Sequence, residues 1–136
     1  MIQPGLPTEP DLPGLFATLK RLCGSDALVL DPTALVAARH DVYATGVQPL
    51  AILALREADT LGPAIAAITA QGLAVVPRGG GLSYTAGYVL PVGQAVLVDL
   101  SRLDRILAID PVNMTVAVEA GATWKAIHAA LAVHDL

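Results

Sequence analysis

Three consecutive glycines, set directly after a short apolar strand, constrain this chain more than any other feature. The stretch reads Val75-Val-Pro-Arg-Gly-Gly-Gly-Leu-Ser-Tyr-Thr-Ala-Gly87. Glycine loses more backbone entropy on folding than any other residue, so a run of three is costly unless the fold uses it. Its uses are close backbone approach and positive φ, which turn successive N–H groups into one concavity that binds anions, phosphate above all. Arg78 adds a fixed positive charge at the rim of such a loop, and Ser83 and Thr85 add hydroxyls. The plainer alternative is a flexible surface turn. Attachment to a strand end favours a ligand, because ligands of open α/β sheets gather there.

The pattern excludes two familiar phosphate loops. A Walker loop needs Gly-Lys-Ser/Thr, and no lysine lies between Lys20 and Lys125. The dinucleotide fingerprint fails more subtly. Gly79 and Gly81 follow a strand, and Asp99 stands at the end of another, but Tyr84 occupies the third glycine position. Gly87, Pro91 and Gly93 also forbid the helix that should receive the pyrophosphate.

Around this loop the chain reads as mixed α and β. Leu15, Leu19 and Leu22 form a helical stripe that closes at Cys23-Gly24, and Asp31-Pro32 opens a short helix to Arg39. The run 49–55 has a strand's length, and Thr60 opens a helix carrying Leu61, Ile65 and Ile68, closed by Gly72. A strand over 73–76, ended by Pro77, completes a βαβ unit with parallel strands. Residues 95–99 form a further strand, 100–103 a turn of helix, and 105–119 a β-hairpin about Pro111-Val-Asn113. Thr123 caps a last helix, with stripe Ile127, Leu131 and Asp135, that is still running at Leu136.

Composition bounds the partners. The 136 residues carry eight Lys plus Arg against twelve Asp plus Glu, a net charge of −4. That removes any electrostatic case for nucleic acid or an anionic membrane. Four prolines and two acids in residues 1–14 are wrong for a signal peptide. The charge-free windows 60–77 and 79–98 carry too many glycines and prolines for a membrane span. The expectation is a cytoplasmic protein. Apolar residues make up 54% of the chain, with one Phe, one Trp and three Tyr. A single cysteine, Cys23, excludes a disulfide framework and reads as a small core residue.

The run Val76-Pro-Arg-Gly-Gly-Gly-Leu-Ser83 resembles the pyrophosphate loop of FAD-linked oxidases of the vanillyl-alcohol oxidase and p-cresol methylhydroxylase type. The resemblance extends through Val98-Asp-Leu-Ser-Arg-Leu-Asp-Arg-Ile106, Ile109-Asp-Pro111 and Val116-Ala-Val-Glu-Ala-Gly121, over about residues 20–136. It is nearest to the glycolate oxidase subunit and D-lactate dehydrogenase branch. It implies an α+β fold: the first subdomain of a PCMH-type FAD-binding domain, a small parallel βαβ sheet with flanking helices and a hairpin. Residues 1–19 would be a Pro-rich segment with the first helix, and 20–136 a subdomain incomplete at its C-terminus. Arg78, Gly79, Gly80, Gly81, Leu82 and Ser83 would line the FAD pyrophosphate, with Tyr84, Thr85 and Gly87 beside it and Gly121 in a turn nearby. Some members bond FAD through a histidine that would align with Leu82; leucine implies non-covalent FAD. The complete enzyme would oxidise a 2-hydroxy acid, glycolate or D-lactate-like, by hydride transfer to flavin. Substrate contacts would come from regions beyond Leu136, and this segment alone would be inactive.

No catalytic residue or metal site is assigned. His40-Asp41 reads as a solvated helix terminus, and His128 and His134 have the wrong spacing for a metal face. Asp99 and Asp104 read as turn-stabilising ion pairs with Arg102 and Arg105, and Trp124 as a packing anchor rather than a flavin stacker. A non-enzymatic module that holds a phosphate ligand or completes a partner chain is the alternative function. The apolar surplus predicts self-association through exposed apolar surface.

Overall fold

The computed structural model describes residues 9–90 and 94–136; Pro91, Gly93 and the first prolines of the sequence lie outside them. Helix α1 (Leu12–Cys23) begins where the Asp11 carboxylate accepts from the Gly14 N–H and ends at Gly24, whose φ is +97°. It runs unbroken across residue 20, and Leu15 and Leu19, one turn apart, are buried. Helix α2 (Pro32–Ala37) is capped by Asp31, with Pro32 at the first helical position, and stops two residues short of Arg39. Helix α3 (Leu61–Ala70) follows a short 3-10 turn and buries Ala64 and Ile68.

The main sheet contains β1 (Leu28–Val29), β2 (Ala51–Ala54), β3 (Ala74–Arg78) and β4 (Ala95–Asp99) in the order β1-β2-β4-β3. The expected βαβ strands β2 and β3 are both parallel to β4, which lies between them. The sheet is not wholly parallel, since β1 pairs antiparallel with β2. Ala95 to Val98 are all buried, as a strand covered on both faces requires. Alternation sorts the core: Leu53, Val96 and Val98 face α1 and α3, whereas Ile52 and Leu97 pack with Leu35, Ala38 and Tyr88. Cys23 packs at the edge of the first cluster, and burial pushes its thiol pKa up against a lowering hydrogen bond with Thr60.

The expected strand end at Pro77 and the expected helical turn over 100–103 are corrected. Pro77 does not end β3, which continues to Arg78. It is tolerated because β3 is an edge strand, where a missing N–H breaks no second ladder. Residues 100–103 form a turn rather than helix, with the Leu103 N–H donating to the Leu100 carbonyl. The carbonyls of both leucines abut Gly121, and the Leu103 carbonyl accepts the Gly121 N–H, which leaves no room for a continuing helix.

The hairpin β5 (Ile106–Asp110) and β6 (Thr115–Val118) has a register shift between Ile106 and Ala108. That bulge lets Ile106 and Ile109 pair with Val118 and Val116, so all four share one half-buried face while Leu107 is exposed. Helix α4 (Trp124–Leu131) starts at its Thr123 cap. It does not run to the last residue: a 3-10 turn follows, and Asp135 adopts a left-handed conformation.

Candidate functional site

The parallel strands β3 and β4 end side by side, and the loop leaving β3 rises beside the turn leaving β6. A Cβ on Gly79 would lie 2.5 Å from the Ala120 carbonyl oxygen, so this glycine lets the two backbones touch. Gly81 has φ +78°, a conformation natural to glycine. Ser83 closes the loop, its hydroxyl oxygen accepting from the N–H groups of Thr85 (3.3 Å) and Gly87 (3.0 Å). Tyr88 then donates its phenolic hydrogen to the Gly81 carbonyl over 2.6 Å.

Arg78 is not a free charge at the rim. Its guanidinium pairs with Asp99 at 2.6 Å, with both side chains largely buried, and lies 5.9 Å from the centroid of the Tyr88 ring. Burial pushes the Asp99 carboxyl up, but hydrogen bonds from Ser101 and Arg78 outweigh it and hold the group below the usual carboxylate range. Asp99 therefore pairs with Arg78, not with Arg102. Arg105 likewise pairs with Glu119 at 2.7 Å, and its hydrogen bonds hold the Glu119 carboxyl low. Both partners lie in other elements, which is why sequence neighbours were misleading.

Gly80, Leu82 and Tyr84 form one wall of a cleft of about 610 Å³; Ala122, Thr123 and Trp124 form the other. Trp124 is 75% exposed and is no packing anchor; its ring meets His128 one helical turn on, with centroids 6.1 Å apart. Tyr84 and Leu82 are also exposed, at 71% and 67%. Gly121, next to Ala122 of the wall, is buried and spends its N–H on Leu103. Thr85 and Gly87 act inside the loop.

The cleft's chemistry fits a pyrophosphate. Among the described residues, the N–H groups of Gly79 to Tyr84 donate to no protein acceptor. The amino end of α4, with the partial positive charge of a helix N-terminus, forms part of the opposite wall. Among the described residues, no carboxylate lines the cleft. The exposed aromatic faces of Tyr84 and Trp124 suit a flat heteroaromatic ring.

His40 and Asp41 make local contacts. His40 lies beyond the end of α2, in a turn where its Nδ1 is 2.8 Å from the Thr45 hydroxyl. Asp41 caps the same turn through the N–H groups of Tyr43 and Ala44. No cluster of metal-ligating side chains occurs among the described residues, and no described helix is long and apolar enough to cross a membrane. Sequence reasoning missed Tyr88, whose signal was only a polar-tipped aromatic in a glycine-rich loop, and assigned Trp124 to packing.

A profile of a family described as an FAD binding domain matches residues 49–136. No curated protein matches the chain. Among solved structures, p-cresol methylhydroxylase with substrate bound superposes with a TM-score of 0.78 at 18% identity, over 91% of this chain and 25% of that one. An alkyldihydroxyacetonephosphate synthase gives 0.78 at 18%, over 98% and 26%. The 4-ethylphenol oxidase of Gulosibacter chungangensis gives 0.75 at 17%, over 94% and 27%. The chain thus spans about a quarter of the length of these structures, and the likeness is one of fold.

Proposed function

Because the chain belongs to the FAD binding domain family, we propose that its cleft holds the pyrophosphate of FAD within an FAD-dependent oxidoreductase. The observation that carries this reading is the meeting, across one cleft, of the Gly80–Tyr84 loop and the amino end of α4. Gly80, Gly81, Leu82 and Ser83 offer backbone amides to the phosphates, with Tyr84 and Thr85 flanking them. Arg78, Gly79, Gly87 and Gly121 hold the loop and its opposite wall in place. Bound FAD supplies the two-electron redox chemistry; this chain's residues bind and orient it.

Leu82 stands where the linking histidine of some relatives would fall, and its aliphatic side chain supports a non-covalent flavin. A 2-hydroxy acid substrate, glycolate or D-lactate-like, rests on the motif resemblance alone, with substrate contacts supplied by regions outside this chain. Exposed Leu107, Val112, Met114 and Val133 support a self-associating surface.

The test is the flavin absorbance of the purified full-length protein, before and after adding FAD. Trp124→Phe should also remove part of the fluorescence quenching that FAD causes. A colourless protein that takes up no FAD would refute the reading.

A further inference from the structure

Among the described residues, the Gly81 carbonyl is the backbone acceptor of the glycine run that a side chain grips, from seven residues along the chain. Tyr88 grips it from a fixed position: its ring is buried, only 7% exposed, among Leu35, Ala38, Ile52 and Leu97. Arg78, anchored by Asp99, packs across that ring. The hydroxyl is thus the end of a rigid chain from β4 through β3 to the loop.

The peptide joining Gly81 to Leu82 is planar and trans, so its N–H points opposite to its carbonyl. Holding the Gly81 oxygen at Tyr88 turns the Leu82 N–H away from Tyr88. That N–H has no acceptor among the described residues, and Leu82 lines the cleft. Glycine at 81 leaves little local resistance to rotation of this peptide, and a rotated peptide would present an oxygen where a phosphate needs a donor.

We propose that Tyr88 is a positioning residue: its hydroxyl fixes the Gly81–Leu82 peptide so that the Leu82 N–H is presented to a phosphate. This rests on the pyrophosphate reading of the cleft. The experiment is Tyr88→Phe in the full-length protein, which keeps the ring and removes the hydroxyl. FAD, ADP and riboflavin affinities are titrated against the parent. FAD and ADP should weaken by a common factor of roughly ten, the scale of one hydrogen bond to a charged group, while riboflavin, which has no phosphate, should not change. Unchanged ADP binding overturns the proposal and leaves FAD binding standing. An equal loss for all three ligands overturns it too, since that is general loosening. A parent protein that binds neither FAD nor ADP refutes the cleft reading itself. Should the variant fail to fold, hydrogen exchange at the Leu82 amide of the parent decides: protection by ADP supports the latch, and none overturns it.

Discussion

Alanine placed in turn at Gly79, Gly80 and Gly81 separates what the loop costs the protein from what it gives the ligand. At Gly79 the new Cβ would meet the Ala120 carbonyl oxygen at 2.5 Å, backbone against backbone. The strand end and the turn after β6 must separate, an overpacking cost of about 1–3 kcal/mol. At Gly81 nothing lies within 4 Å, but φ is +78°, and forcing an L-residue to positive φ costs about 1–2 kcal/mol. At Gly80 neither penalty applies. Removing glycine's freedom from the unfolded chain should leave that variant as stable as the parent or up to about 1 kcal/mol more stable.

Urea unfolding of the FAD-free protein should therefore rank Gly80→Ala at or above the parent, with Gly81→Ala and Gly79→Ala below it. FAD affinity should rank differently. Gly80 lines the cleft, so its methyl group intrudes on the ligand, with a weakening of about five- to 150-fold if the clash is of ordinary overpacking size. A variant at once more stable and weaker in binding marks a glycine kept for its ligand. If Gly80→Ala binds FAD like the parent, the loop does not touch the cofactor. If Gly81→Ala costs no stability, the latched conformation is not the one in solution.

Two further outcomes follow from burial and charge. The folded Asp99 carboxyl lies below its ordinary value, so its stabilisation is complete above the unfolded value of about 3.9 and is lost as pH falls through the lower folded one. Asp99→Asn should lower the urea midpoint at neutral pH and flatten its fall below about pH 4; an acid limb identical to the parent's would show that the Arg78 pair contributes nothing. Leu53→Ala, at a fully buried position, should cost about 2–5 kcal/mol by the same measurement, against less than about 0.5 kcal/mol for exposed Leu107→Ala.

Features carried by adjacent residues were legible in the sequence. Asp31-Pro32 opens α2, Thr123 caps α4, the buried run at 95–98 is a strand, and the glycine run is a loop at a strand end. The family and the mixed α and β fold followed from motifs in order. What was not legible depends on partners distant in the chain. β1 is two residues long, too short for any period, and exists because β2 lies beside it. β4 falls between β2 and β3 because two crossovers bring it there, and no local pattern encodes that order. Pro77 reads as a strand breaker until its strand is known to lie at the edge.

Arg78 shows how a motif can hide a side chain's partner. Beside three glycines it reads as the phosphate's counter-charge, and only β4, in register through the Arg78–Asp99 pairing, reveals that the charge is already matched. On the proposed reading, the cleft would then bind a phosphate mainly through backbone dipoles. Such donors are fixed in direction and add no net charge, so their strength depends on how firmly each peptide is held. This places the burden on the groups that hold the loop: Ser83 across its turn, Gly79 against Ala120, and Tyr88 on Gly81. Arg78 belongs with them, as the residue that links Asp99 to the Tyr88 ring. Phosphate binding of this kind is compatible with a net charge of −4, since among the described residues no carboxylate lines the cleft.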